Sequence, residues 1–330
     1  CRSPMSSARA VSASRRGRRP VPRSERAFTD MLRLIDVNLE VKSRQWPPAL
    51  ETKTPLVFSY NNDLVGPGAK GLIAATYNRL FLPRLLARSA AVITSNPLYA
   101  ESSPHLARTG VRLGHIPWGV DIERFSAAPP PRIEGAEGEI VLGFLALLDR
   151  HHRYKGLEEL LRALARLDPR GRPWRLRVGG RGEEMPRYQA LAAELGIAER
   201  VDFLGFVPDA DLADFYRACH LFALPSTDGA QEGFGLVLLE AMACGRPVLT
   251  TPVVGMAAAL RESGAGELVP PRDIPALASA LERLLTAPEE LETRGAIARQ
   301  LVLERYSWAR IADEYEALFE RLAGYTSDSR

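Results

Sequence analysis

The feature that most constrains the fold of this chain is a repeated alternation of short apolar runs with amphipathic stretches. The apolar runs indicate buried strands, and apolar residues at three-and-four spacing between them indicate helices. Continuous apolar strands that alternate with helices predict parallel sheets covered on both faces. The predicted strands are residues 55–60, 90–95, 111–119, 140–148, 174–180, 201–207, 221–226 and 246–253.

A Pro- and Gly-rich stretch without periodicity, residues 126–138, separates the strands into two groups and is predicted to be an interdomain linker. Two such groups predict two doubly wound domains that face each other across a cleft. In one helix of the second group, Asp209 or Asp211 is expected to cap the N-terminus. The predicted domains are a basic tail (1–34), a partial N-terminal domain (35–125), a C-terminal domain (139–305) and a C-terminal helix (306–330).

Composition is that of a globular protein with two domains of ordinary size. Of the 330 residues, 46% are hydrophobic and 25% are charged, and no run is long enough to span a membrane. Cys1, Cys219 and Cys244 are odd in number and lack metal-ligand spacing, which favours a reducing compartment. We therefore expect a cytoplasmic protein, with the inner face of the membrane as an alternative location.

Arginine dominates the first 26 residues, where eight Arg stand against Glu25. A basic run of this kind attracts nucleic acid or an anionic membrane. It contains no apolar core, which favours a solvated, disordered tail. Because interleaved aromatic residues and a recognition fold are also missing from the pattern, nucleic acid is not expected as a partner.

One stretch in the second group, "QEGFGLVLLEAMACGRPVLTT" (231–251), places a carboxylate on each side of an apolar run. Gly233 and Gly235 let the backbone approach a ligand closely, and the following helix presents unpaired N–H groups that suit a phosphate. Glu232 and Glu240 would then grip hydroxyl groups on either side of a diphosphate. Their spacing alone is more typical of a solvated helix face.

The surrounding string resembles the E-x7-E signature of retaining glycosyltransferases with the GT-B fold, the group called "glycosyl transferases, group 1". The likeness extends to "LLDRHHRYKGLEELLRAL", "RVDFLGFVPDADLADFYRACHLFALPS" and "GAGELVPPRDIPALASALERLL" in the donor domain. "IPWGVDIERF" and "RYSWARIADEYEALFERL" resemble the end of the N-terminal domain and the closing helix. The resemblance covers roughly residues 36–322.

This resemblance implies a metal-independent enzyme that moves a sugar from a nucleotide-diphosphate sugar, UDP- or GDP-linked, to an acceptor hydroxyl with retention. Glu232 would contact the donor sugar at the reacting carbon, and Lys155 would stabilise the departing diphosphate. Glu240 would hold the ribose. Further donor contacts would come from Gly180, Phe234, Gly235 and Leu236.

The chain departs from the family pattern at two places in the site. Ala146-Leu147 stands where the family often has Gly-Arg, so Arg150 or Arg153 would supply that charge. Asn61, Asn62 and Asp63 stand where the family usually has a histidine. They would either hydrogen-bond a hydroxyl on the acceptor side or simply form a strand-end turn.

A third departure concerns the start of the chain, where two βα units and a Gly-rich loop are expected before residue 35. We therefore expect a truncated N-terminal domain, and a chain that binds nucleotide sugar but transfers slowly. The alternative is a catalytically impaired nucleotide-sugar-binding protein. A sugar or lipid-linked acceptor is expected. Residues 71–90, apolar and Arg-containing, are either a membrane-docking surface or an ordinary sheet-covering helix pair. The oligomeric state is not predicted.

Overall fold

The computed structural model describes residues 55–61, 68–97, 103–106, 113–131, 138–229 and 232–322. Several predicted features therefore lie wholly or partly outside the described residues: the basic tail, the start of the partial N-terminal domain (35–54), Asn62, Asp63 and part of the linker.

The first sheet is parallel and contains β1, β2 and β3 in that spatial order among the described residues. The third strand ends at His115, before the predicted end at residue 119, although the Ile116 N–H still donates to the Thr94 carbonyl at 3.2 Å. Two helices separated by Phe81 connect β1 to β2, as the pattern of 71–90 predicts. The elements are β1 (Leu56–Ser59), α1 (Gly68–Leu80), α2 (Leu82–Arg88), β2 (Ser89–Thr94) and β3 (Leu113–His115).

The second sheet has six parallel strands in the order β6-β5-β4-β7-β8-β9. Counted from its own first strand this is the order 3-2-1-4-5-6 of doubly wound folds, whose ligands bind where the order reverses, here between β4 and β7. The strands are β4 (Ile140–Leu145), β5 (Trp174–Gly179), β6 (Val201–Gly205), β7 (Leu221–Leu224), β8 (Val248–Thr250) and β9 (Gly266–Leu268). The helices are α3 (Leu157–Leu164), α4 (Met185–Glu194), α5 (Leu212–Arg217), α6 (Leu236–Ala243), α7 (Ala257–Ser263), α8 (Ile274–Thr286) and α9 (Pro288–Arg305).

Burial follows the sequence pattern in the centre of this sheet. All four residues of β7 are buried, as a strand covered on both faces requires. The helix α3 buries Leu157, Leu160, Leu161 and Leu164, which recur at three-and-four spacing on one face.

The predicted cap of α5 is found in position but without its hydrogen bond. Asp211 is the N-cap residue, yet its carboxylate accepts no capping bond, and Asp209 lies at the start of the 3₁₀ turn (Asp209–Asp211) that precedes the helix. Asp209 instead pairs with Arg124 at 2.7 Å.

The described part of the connecting segment, residues 122–131, is fastened to the second sheet's helices through its backbone carbonyls. Arg299 donates to the carbonyls of Ile122 and Phe125 at 3.2 and 3.1 Å. Arg246 is 1% exposed and donates to the Ala128 carbonyl at 2.7 Å. Further contacts are from Arg217 to the Ser126 carbonyl (3.0 Å) and from His220 Nε2 to the Pro131 carbonyl (2.9 Å).

His220 is held as a neutral imidazole at the end of this segment. Its Nδ1 accepts from the Val141 N–H at 2.9 Å while Nε2 donates to Pro131, so both nitrogens are used. Burial lowers the pKa of His220. Protonation would remove the acceptor that Val141 requires.

We expect the free energy of unfolding to fall as the pH is lowered below about 6.5, the ordinary histidine pKa. Between that pH and the lower pKa of folded His220, the unfolded chain binds more protons than the folded one, so acid favours unfolding. Urea unfolding from pH 8 to 5 measures this slope. His220→Asn, which keeps an acceptor near Nδ1 and does not titrate, should flatten it, and an identical slope in both proteins would contradict the assignment.

The last described helix, α10 (Trp308–Leu322), packs on the first sheet. Ile311 and Leu318 form one apolar cluster with Ala91, Ile93 and Ile116. Within the described residues, no helix combines the length and the apolar character that crossing a membrane requires.

Candidate active site

The switch point of the second sheet carries a basic turn after β4. This 3₁₀ turn (Arg150–Lys155) begins at Asp149, whose carboxylate accepts from the His151 and His152 backbone N–H groups. It ends at Gly156, where φ is +85° and an added Cβ would lie 2.0 Å from the Pro225 carbonyl oxygen. A glycine is therefore required for the turn to close on the segment that follows β7.

Lys155 and Glu232 form a buried ion pair at this point. Lys155 Nζ donates to both carboxylate oxygens of Glu232, at 2.9 and 2.8 Å. Ser226 Oγ donates to Glu232 Oε2 at 2.6 Å. The side chain of Glu232 is 2% exposed and that of Lys155 is 18% exposed. The carboxylate is thus compensated by one cation and oriented by one hydroxyl, away from bulk water.

Tyr154 and Thr227 lock the two loops together beside this pair. The Thr227 N–H donates to the Tyr154 carbonyl at 2.7 Å, and the Lys155 ammonium lies 5.1 Å from the centre of the Tyr154 ring. Burial, with the negative charge of Glu232 nearby, raises the pKa of Tyr154 to about 12. Tyr154 consequently stays protonated at neutral pH.

The helix α6 begins directly after Glu232 in the chain. Gly235 is its N-cap at φ +87°, and the Gly235 carbonyl accepts from the Leu238 N–H at 2.9 Å. The N–H groups of Leu236 and Val237 precede this first intrahelical bond. Phe234 is buried against the Tyr306 ring, whereas Leu236 is 45% exposed. A helix N-terminus carries partial positive charge and suits a phosphate.

Glu240, one helical turn along α6 from Leu236, is bound by a tyrosine from α5. Tyr216 Oη donates to Glu240 Oε2 at 2.6 Å, and Tyr216 itself is fully buried. Burial raises the pKa of Glu240, and the hydrogen bond from Tyr216 opposes that rise. One carboxylate oxygen is therefore oriented by the protein.

The two arginines proposed for the donor phosphate pair with acidic residues at the start of α4. Arg153 makes two bonds of 2.8 Å to Glu184, and Arg150 lies 3.4 Å from Glu183. Both also line a surface cavity with Tyr188 and other residues, and Lys155 and Glu232 are not part of that lining. The structure therefore does not bring either arginine onto the Lys155–Glu232 pair.

Gly180 has a reason of its own to be glycine. Its φ is +129°, and an added Cβ would lie 1.8 Å from the Ala146 carbonyl oxygen. This close approach keeps the ends of β4 and β5 together. The predicted contact of Gly180 with a nucleotide stays a prediction.

Asn61, the described member of the predicted acceptor-side group, is engaged within its own sheet. Its Nδ2 donates to Ser59 Oγ at 3.1 Å, and its Oδ1 accepts from the Ser95 N–H at 3.2 Å. In the part of the chain that the structure describes, no three His, Cys, Asp or Glu side chains form a group that could hold a metal ion.

Three residues of the site were missed in the sequence. Ser226 and Asn96 follow the buried strands β7 and β2, and polar residues at that position are a usable signal in parallel sheets. Asn96 Nδ2 donates to the Gly233 carbonyl at 2.7 Å. Tyr216 could not be recognised from the sequence, because it lies on the apolar face of a short helix, where an ordinary core residue is expected.

Comparison with solved structures identifies the class of protein. The structure of Anabaena HepE in complex with UDP-glucose is similar with a TM-score of 0.63 and 25% identity, covering 81% of this chain and 72% of that chain. The predicted GT-B fold, that of one class of glycosyltransferases, is confirmed.

Residues 135–301 match the family described as Glycosyl transferases group 1. The chain is also 31% identical over 277 residues to the GDP-mannose-dependent alpha-(1-6)-phosphatidylinositol monomannoside mannosyltransferase of Mycolicibacterium smegmatis, covering 76% of this chain and 72% of the relative. This chain belongs to the glycosyl transferases group 1 family.

A second relative is matched over less of its length. The D-inositol 3-phosphate glycosyltransferase of Corynebacterium jeikeium is 34% identical over 218 residues, which is 63% of this chain and 51% of the relative. The chain therefore spans about half the length of this relative.

Proposed function

We propose that this chain moves a sugar from a nucleotide-diphosphate sugar to an acceptor hydroxyl, with retention of configuration and without a metal ion. The observation that carries the proposal is the Lys155–Glu232–Ser226 group at the switch point of the second sheet, next to the N-terminus of α6. It combines a cation, a buried carboxylate and open N–H groups in one place.

In the proposed complex the diphosphate lies between Lys155 and the first turn of α6. Both supply positive charge where negative charge develops as the bond from the sugar to the phosphate oxygen breaks. This arrangement supports a reaction without a metal, because the ammonium and the helix N-terminus do the electrostatic work. The electron pair of the broken bond leaves with the diphosphate.

Glu232 lies on the sugar side of the diphosphate in this proposal. Its carboxylate stabilises the positive charge that develops on the sugar ring as the leaving group departs. The acceptor hydroxyl attacks from the face that the diphosphate leaves and gives its proton to the departing diphosphate oxygen, so the configuration is retained. The pair with Lys155 holds the Glu232 carboxylate in place until the donor arrives.

For the donor we propose a UDP- or GDP-sugar. HepE was solved with UDP-glucose, and the mannosyltransferase relative is named for GDP-mannose. The ribose lies against the carboxylate of Glu240, which Tyr216 holds. An exposed Phe206 under the Arg181 guanidinium, 4.8 Å from the ring centre, offers a face for the base beyond β5 and β6.

For the acceptor we propose a sugar or a lipid-linked sugar at an anionic membrane surface, in the cytoplasm. The support is an exposed apolar and basic face on α1 and its end, where Leu72 and Ile73 are 72% and 71% exposed. Leu80, Phe81 and Arg79 continue it. The relatives named above act on inositol-type acceptors according to their names.

The test is a turnover assay with UDP-glucose and GDP-mannose against inositol 3-phosphate, phosphatidylinositol in detergent and phosphatidylinositol in anionic vesicles. Nucleotide release and product formation are followed together, and proton NMR of the product gives the anomeric configuration. Retained product with EDTA present supports the proposal. An inverted product would refute the proposed retention of configuration. Activity abolished by EDTA would refute the proposed reaction without a metal ion.

We expect Glu240→Ala to weaken free UDP or GDP binding by roughly 10- to 100-fold, since a charge-assisted hydrogen bond to the ribose is lost. Tyr216→Phe should weaken it less, because the carboxylate remains. Isothermal titration measures both, with the exposed Glu183→Ala as the matched control. Unchanged nucleotide affinity in Glu240→Ala would remove the ribose assignment.

A further inference from the structure

A hydrogen bond joins the first sheet to the loop that presents Glu232. Asn96, one residue beyond Ser95 at the end of β2, donates from Nδ2 to the Gly233 carbonyl at 2.7 Å. Asn96 is 3% exposed, so the bond is shielded from water. Gly233 is the residue that follows Glu232, and its carbonyl lies between the carboxylate and the start of α6.

The contact between the end of β2 and the loop that follows Glu232 is closely packed. A Cβ added at Gly255 would lie 2.8 Å from Phe234 Cδ2 and 3.1 Å from Asn96 Cβ. The Asn96 side chain, the Phe234 ring and the Gly255 backbone are therefore in contact. Phe234 is held on its other side by the Tyr306 ring, 5.8 Å away between centres.

Asn96 is also anchored from the side of the first sheet. The N–H of its neighbour Ser95 donates to Asn61 Oδ1, and Asn61 in turn donates to Ser59 Oγ. A chain of polar contacts thus runs from the end of β1 to the Gly233 carbonyl.

The loop needs such a restraint. An added Cβ at Gly233 would meet no atom within 4 Å, and Gly235 has a positive φ. Glycines on either side of Phe234 leave the backbone with many accessible conformations. A buried amide that binds the carbonyl between them selects one of these.

We propose that Asn96 is a positioning residue for the transfer reaction. Asn96 binds the Gly233 carbonyl and so fixes the backbone between Glu232 and the start of α6. The loop that presents Glu232 therefore depends on contact with the first sheet for the conformation in which it reacts. This inference rests on the proposed function for the role of Glu232. It assigns to the acceptor-side sheet a part in shaping the donor site.

The test compares Asn96→Ala, Asn96→Asp and Gly255→Ala with the unmodified chain. We expect Asn96→Ala to lower kcat for UDP-glucose or GDP-mannose by about tenfold, the loss of one buried hydrogen bond, with free nucleotide affinity within twofold. Gly255→Ala, which pushes Asn96 and Phe234 apart, should act in the same direction. An equal loss of kcat and of free nucleotide affinity would overturn the proposal.

The pH profile of Asn96→Asp separates positioning from general packing. An ionised carboxylate cannot donate to the Gly233 carbonyl, whereas a protonated one can. We expect kcat of this variant, relative to the unmodified chain, to rise as the pH is lowered towards 5. A constant ratio across pH 5–8 would count against the proposal.

Hydrogen exchange gives a readout that needs no turnover, so it remains informative if the proposed function fails. In Asn96→Ala, amides of residues 233–238 should exchange several-fold faster, while those of β8 keep their rates. Unchanged exchange in residues 233–238 would overturn the proposal whatever the activity. If the unmodified chain shows no turnover but Asn96→Ala shows the expected faster exchange, only the proposed function is refuted.

Discussion

Replacing Lys155 by methionine is expected to lower the free energy of unfolding by about 3–5 kcal/mol, because it leaves Glu232 buried without its counter-ion. Glu232 is 2% exposed, so water cannot replace the ammonium. The charge must then be neutralised by proton uptake or by opening of the loop. Urea unfolding at pH 7 measures the loss.

Two matched variants identify the cause of that loss. Lys155→Met combined with Glu232→Gln should be more stable than Lys155→Met alone, since no uncompensated charge remains. Arg150→Ala breaks an exposed ion pair with Glu183 on the same turn and should change stability little. If Lys155→Met unfolds at the urea concentration of the unmodified chain, the buried pair is not the stabilising feature described here.

Glu232→Gln is expected to reduce kcat by about 10²–10³-fold, the size of effect seen when one preorganised electrostatic group is removed from a reacting centre. Free nucleotide affinity should stay within threefold, because UDP and GDP lack the sugar that Glu232 contacts. The amide keeps an oxygen that accepts from Lys155, so the fold survives the change. Steady-state turnover and calorimetric titration of the same preparations separate the two quantities.

The control for this variant is Glu183→Gln, an exposed carboxylate near Arg150 that should leave both quantities unchanged. A parallel loss of kcat and nucleotide affinity in Glu232→Gln would place Glu232 on the nucleotide rather than on the sugar. It would also remove the division of roles between Glu232 and Glu240.

The second sheet could be predicted because most of its strands are continuous apolar runs in the sequence. β9 is the exception: its three residues, Gly266, Glu267 and Leu268, contain a single large apolar side chain, and no period can be read from them. Its place depends on pairing with β8, a contact that only the assembled sheet provides.

The site was predictable at the level of single residues but not of their contacts. Lys155 and Glu232 were found through resemblance, yet their pairing joins residues 77 positions apart and follows from β4 and β7 lying side by side. Asp209 was a candidate cap of α5 because capping is predicted from local sequence. Its carboxylate instead pairs with Arg124, 85 positions earlier in the chain. Contacts of this kind depend on strand order, which local patterns do not encode.

The fastened segment 122–131 has a mechanical consequence. The Val120 N–H donates to the Tyr306 carbonyl at 2.8 Å. The segment that leaves the first sheet after β3 and the segment that returns to it before α10 are therefore bonded to each other at this point. The residues that follow Val120 are held in turn by Arg299, Arg246 and Arg217. The two chain crossings between the first and second sheets are therefore tied to each other at Val120 and Tyr306, where the Gly119 backbone packs against the Trp308 ring.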